Sequence, residues 1–233
     1  MLSYLKRDFE RSRLKLEVCA SFLVCCFILL PCEFTFFTIQ KRWIAEGVPM
    51  HNMATSLDAH IPFVPELIWP YWFYFPFLGL AIWIVRNRME LLRTAFGFMT
   101  LHFTGFGLYL LYPTVMTRIS IPCDSLSCQW VGAMYVMDPG FGIFPSLHVA
   151  MSLFMVLTAF EYKSALRWPM TVFFCFIVAA TVMVKQHYII DIPPGFILGF
   201  VGHRWAGQAF DWFTERTGFR VPDSVAQTAV AGR

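Results

Sequence analysis

The residues best suited to chemistry are two histidines and an aspartate in the second half of the chain. His148 closes a Pro-Ser-Leu-His motif, and His187 stands four residues before Asp191. A carboxylate beside an imidazole fixes the tautomer of the ring and stabilises its cation, as nucleophilic and general-base sites require. On a helix, a spacing of four places two side chains on one face. We therefore predict that these three residues form a catalytic set.

Two cations and a hydroxyl group accompany this set. Arg118 precedes His148 along the chain, Lys185 stands two residues before His187, and Ser146 lies where a helix carrying His148 would begin. Positioned cations and helix N-termini stabilise the charge of a transferring phosphoryl group. We predict that Arg118, Lys185 and Ser146 bind phosphate. No Cys/His cluster has zinc-ligand spacing, and the predicted chemistry needs no metal or cofactor.

Each of these motifs also has a structural explanation. A single histidine at a membrane interface can be a satisfied polar residue, and a His–Asp pair can be a simple helix contact. Two motifs with two nearby cations favour the functional interpretation. Among the weaker candidates, Asp138 is predicted to be a turn residue. Glu33 and His102 are each predicted to make an interhelical hydrogen bond.

The composition indicates what must hold these residues in place. Of the 233 residues, 58% are hydrophobic and only 14% are charged. A soluble domain carries about 25% charged residues, so most of this surface must face something other than water. The net charge of +3 gives no argument for binding nucleic acid. The predicted partner is therefore the lipid bilayer.

Six stretches approach the roughly 20 apolar residues that a helix needs to cross a bilayer. They are Val18–Ile39, Leu67–Val85, Thr94–Tyr112, Pro145–Tyr162, Leu166–Val184 and His187–Phe210. We predict an all-α integral membrane protein, a bundle of six transmembrane helices with its active site at the outer membrane face. Residues 1–218 would form a single membrane-embedded domain, and residues 219–233 a polar tail.

The distribution of positive charge predicts the orientation. If the N-terminus is cytoplasmic, fourteen of the eighteen Lys and Arg residues fall on the inner side, as the positive-inside rule requires. Both termini are then cytoplasmic. The loops 40–66, 113–146 and 185–192 lie outside, on the periplasmic or lumenal side, and they carry or border every residue of the predicted site.

Two further predictions concern the outer side. Cys123 and Cys128 lie in a polar loop, and outer compartments are oxidising, so we predict a disulfide between them. An aromatic belt at the outer interface is predicted from five residues. They are Trp43, Trp69, Tyr71, Trp72 and Trp130.

The two histidine motifs together resemble the type 2 phosphatidic acid phosphatase superfamily, and most closely the branch that includes inositol phosphorylceramide synthases. The resemblance covers roughly residues 112–199. It implies that His148 is the general acid, His187 the nucleophile and Asp191 the residue that orients it. The six-span layout also matches that family. The chain departs from the phosphatase pattern, because the Ser-Arg that usually precedes the nucleophile would fall near Ala180 and Thr181 and is missing.

This departure leaves open whether water or an alcohol accepts the phosphoryl group. The resemblance and the residues predict a membrane-embedded lipid phosphatase that forms a phosphohistidine intermediate. A lipid phosphotransferase, moving a phospho-headgroup to an alcohol, is the alternative. A small proton-coupled transporter is the alternative from another class, but it predicts ionisable residues throughout the membrane depth. A structural scaffold would leave the clustered motifs unexplained.

Overall fold

The computed structural model describes residues 2–220, with side chains from residue 11 onward. These residues form helices and no β-strand, which confirms the predicted all-α class. The helices are α1 Leu2–Ala45, α2 Ile68–Trp72, α3 Tyr74–Gly79, α4 Ala81–Ile84, α5 Arg88–Leu111, α6 Leu126–Met137, α7 Leu147–Glu161, α8 Arg167–Met183 and α9 Ile192–Thr217, with short 3-10 helices at Pro65–Leu67 and Ile189–Asp191. The predicted polar tail lies mostly outside the described residues.

Two helical segments are long and apolar enough to cross a membrane. They are Arg11–Ala45, within α1, and Arg88–Leu111, which is α5. The apolar helices α7 and α8 are shorter, although their ends fall within two residues of the predicted fourth and fifth spans. The total of six spans and the orientation of the termini stay predictions.

The predicted second span, Leu67–Val85, is not one helix. It is divided into α2, α3 and α4, which meet at Phe73 and Leu80. Pro70 and Pro76 lie in the first two of these helices, and a proline lacks the N–H and crowds the preceding turn of a helix. The two junction residues keep right-handed helical dihedrals. The segment is therefore a kinked helical run rather than one straight helix, and its role as a membrane span stays a prediction.

The core forms where α7 packs against α5, α8 and α9. Two glycines allow α9 to approach α7 closely. A Cβ atom on Gly195 would lie 2.7 Å from the Ser146 carbonyl oxygen, and one on Gly199 would lie 2.6 Å from the Ala150 carbonyl oxygen. Small residues of this kind let helix backbones come together. The close approach brings the beginning of α9 beside the beginning of α7.

The segment between α5 and α7 is compact although it contains only one short helix. The predicted disulfide between Cys123 and Cys128 is present. Cys123 precedes α6, and Cys128 lies in its first turn. Upstream and downstream parts of the segment are paired, since the Met116 amide donates to the Gly140 carbonyl at 2.9 Å. Thr114 Oγ1 accepts from the Ile143 amide at 2.9 Å. These contacts fix the chain that leads into His148.

Candidate active site

His187 and Asp191 meet in a turn between α8 and α9. His187 Nδ1 lies 3.2 Å from Asp191 Oδ2, and the same oxygen accepts from the Tyr188 amide at 2.9 Å. His187 is 4% exposed and Asp191 is fully buried. The sequence predicts a shared helix face, but α9 begins only at Ile192, with its two prolines in the first turn. A 3-10 turn therefore makes the contact that the spacing predicted for a helix.

His148 faces the other nitrogen of His187. Its Nδ1 atom lies 3.4 Å from His187 Nε2. A carboxylate can only accept, so Asp191 favours a proton on His187 Nδ1 and leaves a lone pair on Nε2. The Nε2 lone pair then accepts from His148 Nδ1–H. The three predicted catalytic residues are thus brought together in one chain of contacts.

Two tyrosines hold the ring of His148. The ring centroids of Tyr71 and Tyr74 lie 4.8 Å and 4.7 Å from that of His148. Tyr71 is only 4% exposed, so its predicted place in an exposed aromatic belt is wrong. The kinked run at Pro70 and Pro76 turns both tyrosines toward α7. Sequence reasoning missed this role because the two residues lie among several other aromatics.

Ser146 ties the two motifs together. It precedes the first turn of α7, where its Oγ accepts from the Val149 amide at 3.4 Å. Its backbone amide donates to the Asp191 carbonyl at 3.1 Å. Ser146 is fully buried. The structure therefore places it as a helix cap and a link between the motifs.

The structure gives the two predicted phosphate cations partners of their own. Arg118 donates to the Lys185 carbonyl at 3.0 Å and to the Asp138 carbonyl at 2.6 Å. Its guanidinium also lies over the Tyr135 ring, 4.4 Å from the centroid. Lys185 Nζ donates to the carbonyls of Ile61 and Asp58, at 2.6 Å and 3.2 Å. Both residues border the His187 turn, and each makes two hydrogen bonds to backbone oxygens, while Arg118 Nε has no partner among the described residues.

Asp138 and Gln186 form a polar pair beside the histidines. One carboxylate oxygen of Asp138 accepts from the Gly140 amide at 2.9 Å, which is the predicted turn contact. The other accepts a short hydrogen bond from the Gln186 amide group. Burial raises the pKa of the Asp138 carboxyl, while the Gly140 amide and the Arg118 guanidinium oppose that rise. Gln186 is 1% exposed, and its Oε1 has no partner among the described residues.

Asp58 is a further residue that sequence reasoning did not place in the site. Its Oδ1 accepts from the Ile189 amide at 2.8 Å, while Thr55 donates its amide and hydroxyl to Oδ2, each at 2.7 Å. Although burial opposes it, the pKa of Asp58 is lowered by these hydrogen bonds. With Lys185 bound to the same loop, the segment between α1 and α2 contacts the turn that carries His187 from two sides. In the sequence, the one signal that could have suggested this contact is the single aspartate in that loop.

Two other histidines pair with carboxylates away from this site. His102 Nε2 lies 3.6 Å from Glu33 Oε1, between α5 and α1. The two residues face each other across the helices, but neither ring nitrogen of His102 has a hydrogen bond among the described residues, so the predicted interhelical hydrogen bond of His102 is not present there. At the far end of α7, His203 Nε2 lies 3.1 Å from Glu161 Oε2. Within the described residues, no three His, Cys, Asp or Glu side chains are grouped to hold a metal ion.

Comparison with known families gives one match. Residues 49–205 match the family model described as the PAP2 superfamily. The matched range includes the whole site, from Asp58 to Asp191. No curated protein and no solved structure matches the chain. The match supports the superfamily that the two motifs resemble, whereas the inositol phosphorylceramide synthase branch stays a prediction.

Proposed function

Because the chain belongs to the PAP2 superfamily, a group of phosphatase and phosphotransferase type, we propose that it is a membrane-embedded lipid phosphatase. It would hydrolyse a lipid phosphoester through a phosphohistidine intermediate. One observation carries the proposal: His187 has Asp191 behind it at 3.2 Å and His148 in front of it at 3.4 Å. A nucleophile, its orienting carboxylate and a proton donor are the groups that such a reaction needs.

In the first step, the lone pair of His187 Nε2 attacks phosphorus. The N–P bond forms as the bond from phosphorus to the lipid oxygen breaks, and protonated His148 gives its proton to that oxygen. Asp191 stabilises the positive charge that the His187 ring acquires, because its carboxylate lies against Nδ1–H. The products of this step are a lipid alcohol and phosphorylated His187.

In the second step, His148 acts as the base. It takes a proton from a water molecule, whose oxygen attacks phosphorus while the N–P bond breaks. The step releases inorganic phosphate, restores neutral His187 and leaves His148 protonated for the next turnover. All proton transfers use protein side chains, and the proposal includes no metal ion.

Substrate binding must separate the two imidazoles. Their facing nitrogens are within hydrogen-bond distance of each other, so a phosphorus atom does not fit between them. The His148 ring would rotate against Tyr71 and Tyr74, or the phosphate would approach from the side of the pair. Ser146 and the remaining donors of Arg118 and Lys185 would then hold the phosphate oxygens.

The membrane placement belongs to the same proposal. The six-span arrangement would place His148 and His187 at headgroup depth on the outer side, with both termini in the cytoplasm. The asymmetry of Lys and Arg supports this orientation, and the helices α1 and α5 are apolar enough to span. A lipid could then present its phosphate while its chains remain in hydrocarbon.

A second candidate is a lipid phosphotransferase, and one observation favours it. Arg118 and Lys185 each use two donors to bind backbone carbonyls, which leaves fewer donors for the oxygens of a phosphate. A phosphate monoester carries a charge of about −1.5 to −2 at neutral pH, and a diester carries less. A site with few free donors suits a diester, whose phospho-headgroup would pass through His187 to an alcohol.

One assay tests both candidates. Purified protein would receive a panel of lipid phosphate monoesters and phosphodiesters, with and without alcohol acceptors, in the presence of a chelator. Phosphate release from monoesters supports the phosphatase, and headgroup transfer that depends on the alcohol supports the transferase. His187→Ala serves as the inactive control. Activity that the chelator abolishes and one divalent ion restores would contradict the metal-free mechanism.

A further inference from the structure

A second cavity lies at the end of α7 opposite His148. Its volume is about 650 Å³, and it is bounded by the early part of α1, the end of α4 and the turn between α7 and α8. Helix α7 has 15 residues, so at 1.5 Å per residue it separates the cavity from the histidines by about 22 Å. The cavity is therefore not part of the site described above.

The charged residues that line this cavity are all basic. They are Arg11, Arg86 and Lys163, and the described lining residues include no carboxylate. Arg86 is already paired with Glu90 at 2.7 Å. Among the residues whose side chains the structure describes, neither Arg11 nor Lys163 forms an ion pair. The cavity therefore favours an anion.

The rest of the lining is apolar. Leu80, Trp83, Ile84 and Leu166 form this wall. Ile84 is buried in the core, whereas Trp83 is 60% exposed, so the wall continues onto the outside of the helices. A cation pair beside an apolar, outward-facing wall matches a ligand that is anionic at one end and apolar at the other.

The backbone holds Lys163 at the rim of the cavity in an uncommon conformation. Its φ is +52°, in the left-handed region that non-glycine residues rarely adopt. The turn is fixed by two hydrogen bonds, from the Lys163 amide to the Phe160 carbonyl at 3.0 Å and from the Ser164 amide to the Ala159 carbonyl at 2.9 Å. The position of the Lys163 backbone is thus set before any ligand binds.

From these observations we propose that the cavity binds the headgroup of an anionic phospholipid. Lys163 and Arg11 would contact the phosphate, and the lipid chains would lie along Trp83 and Leu166. This lipid is a bound partner and not the substrate, because α7 separates it from His187. The inference is independent of the proposed reaction. It requires only that the protein lies in a membrane.

The test measures lipid retention by native mass spectrometry. Full-length protein carrying His187→Ala, which prevents turnover, would be incubated in detergent with phosphatidylglycerol or with phosphatidylcholine. We expect preferential retention of phosphatidylglycerol. Arg11→Gln with Lys163→Gln should weaken that retention roughly 25-fold, since each cation near a lipid headgroup contributes about fivefold.

Two controls make the result specific. Arg204→Gln with Arg220→Gln removes the same charge from exposed positions outside the cavity, and should leave retention unchanged. Ala165→Trp fills the cavity without changing its charge, and should lower retention as well. Equal retention of both lipids by the Arg11/Lys163-intact protein would overturn the proposal. So would an equal loss in the two double variants, which would indicate general attraction to positive charge.

Discussion

The two ends of the α7–α9 pair each carry a histidine against a carboxylate. At one end His187 lies 3.2 Å from Asp191, and at the other His203 lies 3.1 Å from Glu161. Distance alone does not distinguish the pairs. They differ in which ring nitrogen faces the carboxylate, because His187 uses Nδ1 and His203 uses Nε2. The outermost nitrogen of His187 therefore faces His148, while the nitrogen of His203 that does not face Glu161 lies close to its own main chain.

The surroundings of the two carboxylates differ as well. Glu161 also pairs with Arg93, which in turn binds Asp211 at 3.0 Å. A guanidinium shared between two carboxylates offsets one of their two negative charges and ties three helices together. Asp191 instead accepts from a backbone amide, and the described residues place no cation on it. The two pairs are therefore told apart by their neighbours, since His187 faces a second imidazole whereas Glu161 is held by an arginine.

The largest expected effect separates the two histidines. His187→Ala should reduce turnover by about 10⁴-fold or more, because removal of a nucleophile leaves only binding and electrostatic contributions. His203→Ala should change turnover by less than about threefold, since the expected effect is structural. Rates measured with one lipid phosphate on both variants check this. Comparable losses in the two would remove the distinction between the pairs.

Substitution of the two carboxylates should affect turnover in the same order, with the larger loss at Asp191 and the smaller at Glu161. Asp191→Asn should reduce turnover by roughly 10²- to 10⁴-fold, because an amide no longer stabilises the His187 cation or fixes its tautomer. Glu161→Gln is the matched substitution at the His203–Glu161 pair and should leave turnover nearly unchanged. The measurement is kcat at saturating substrate, so that altered binding is not mistaken for altered chemistry. If Asp191→Asn were as active as Glu161→Gln, Asp191 would have no orienting role.

A smaller effect is expected where Asp58, between α1 and α2, binds the turn that carries His187. Asp58→Ala should lower kcat by about tenfold, because loss of the hydrogen bond from the Ile189 amide lets the turn shift and misplaces His187. Asp58→Asn should recover most of the activity, since its amide oxygen can still accept that bond. Thermal unfolding of both variants serves as the control. Equal activity of the two variants would show that the hydrogen bond does not position His187.

The smallest effect on catalysis is expected at Arg93. Arg93→Gln should leave kcat within about twofold of the wild type but lower the free energy of unfolding by about 1–3 kcal/mol. That range lies between the effects of breaking an exposed and a buried ion pair, because the Arg93 side chain is partly buried, with 21% of it exposed. Reversible unfolding in detergent measures it. A large fall in kcat with unchanged stability would assign a role in catalysis to the cluster of Arg93, Glu161 and Asp211.

Local patterns predicted much of this molecule. The apolar runs predicted α7 and α8 to within two residues, and spacing in a polar loop predicted the Cys123–Cys128 bond. The pairing of His187 with Asp191 was predicted from a helical spacing, yet a 3-10 turn achieves it. The reason is that Pro193 and Pro194 favour the first turn of a helix, so α9 begins after the pair.

Contacts between distant segments could not be predicted in this way. Tyr71 packs on His148 only because prolines kink its segment and α7 lies beside it. Lys185 stands next to the site in sequence, but its ammonium group points to carbonyls more than 120 residues earlier. Neither periodicity nor motif spacing indicates which loop will pack against the turn that carries His187. Those contacts depend on how the helices pack.

The most direct test of the account is whether phosphorus becomes bonded to His187. Wild-type protein would be mixed briefly with a lipid phosphate radiolabelled at phosphorus, quenched at alkaline pH to preserve phosphohistidine, digested and mapped by mass spectrometry. We predict label on the peptide that contains His187, removable by acid, and none in His187→Ala. Sustained turnover without a labelled protein, or label on any other residue, would contradict the proposed nucleophile.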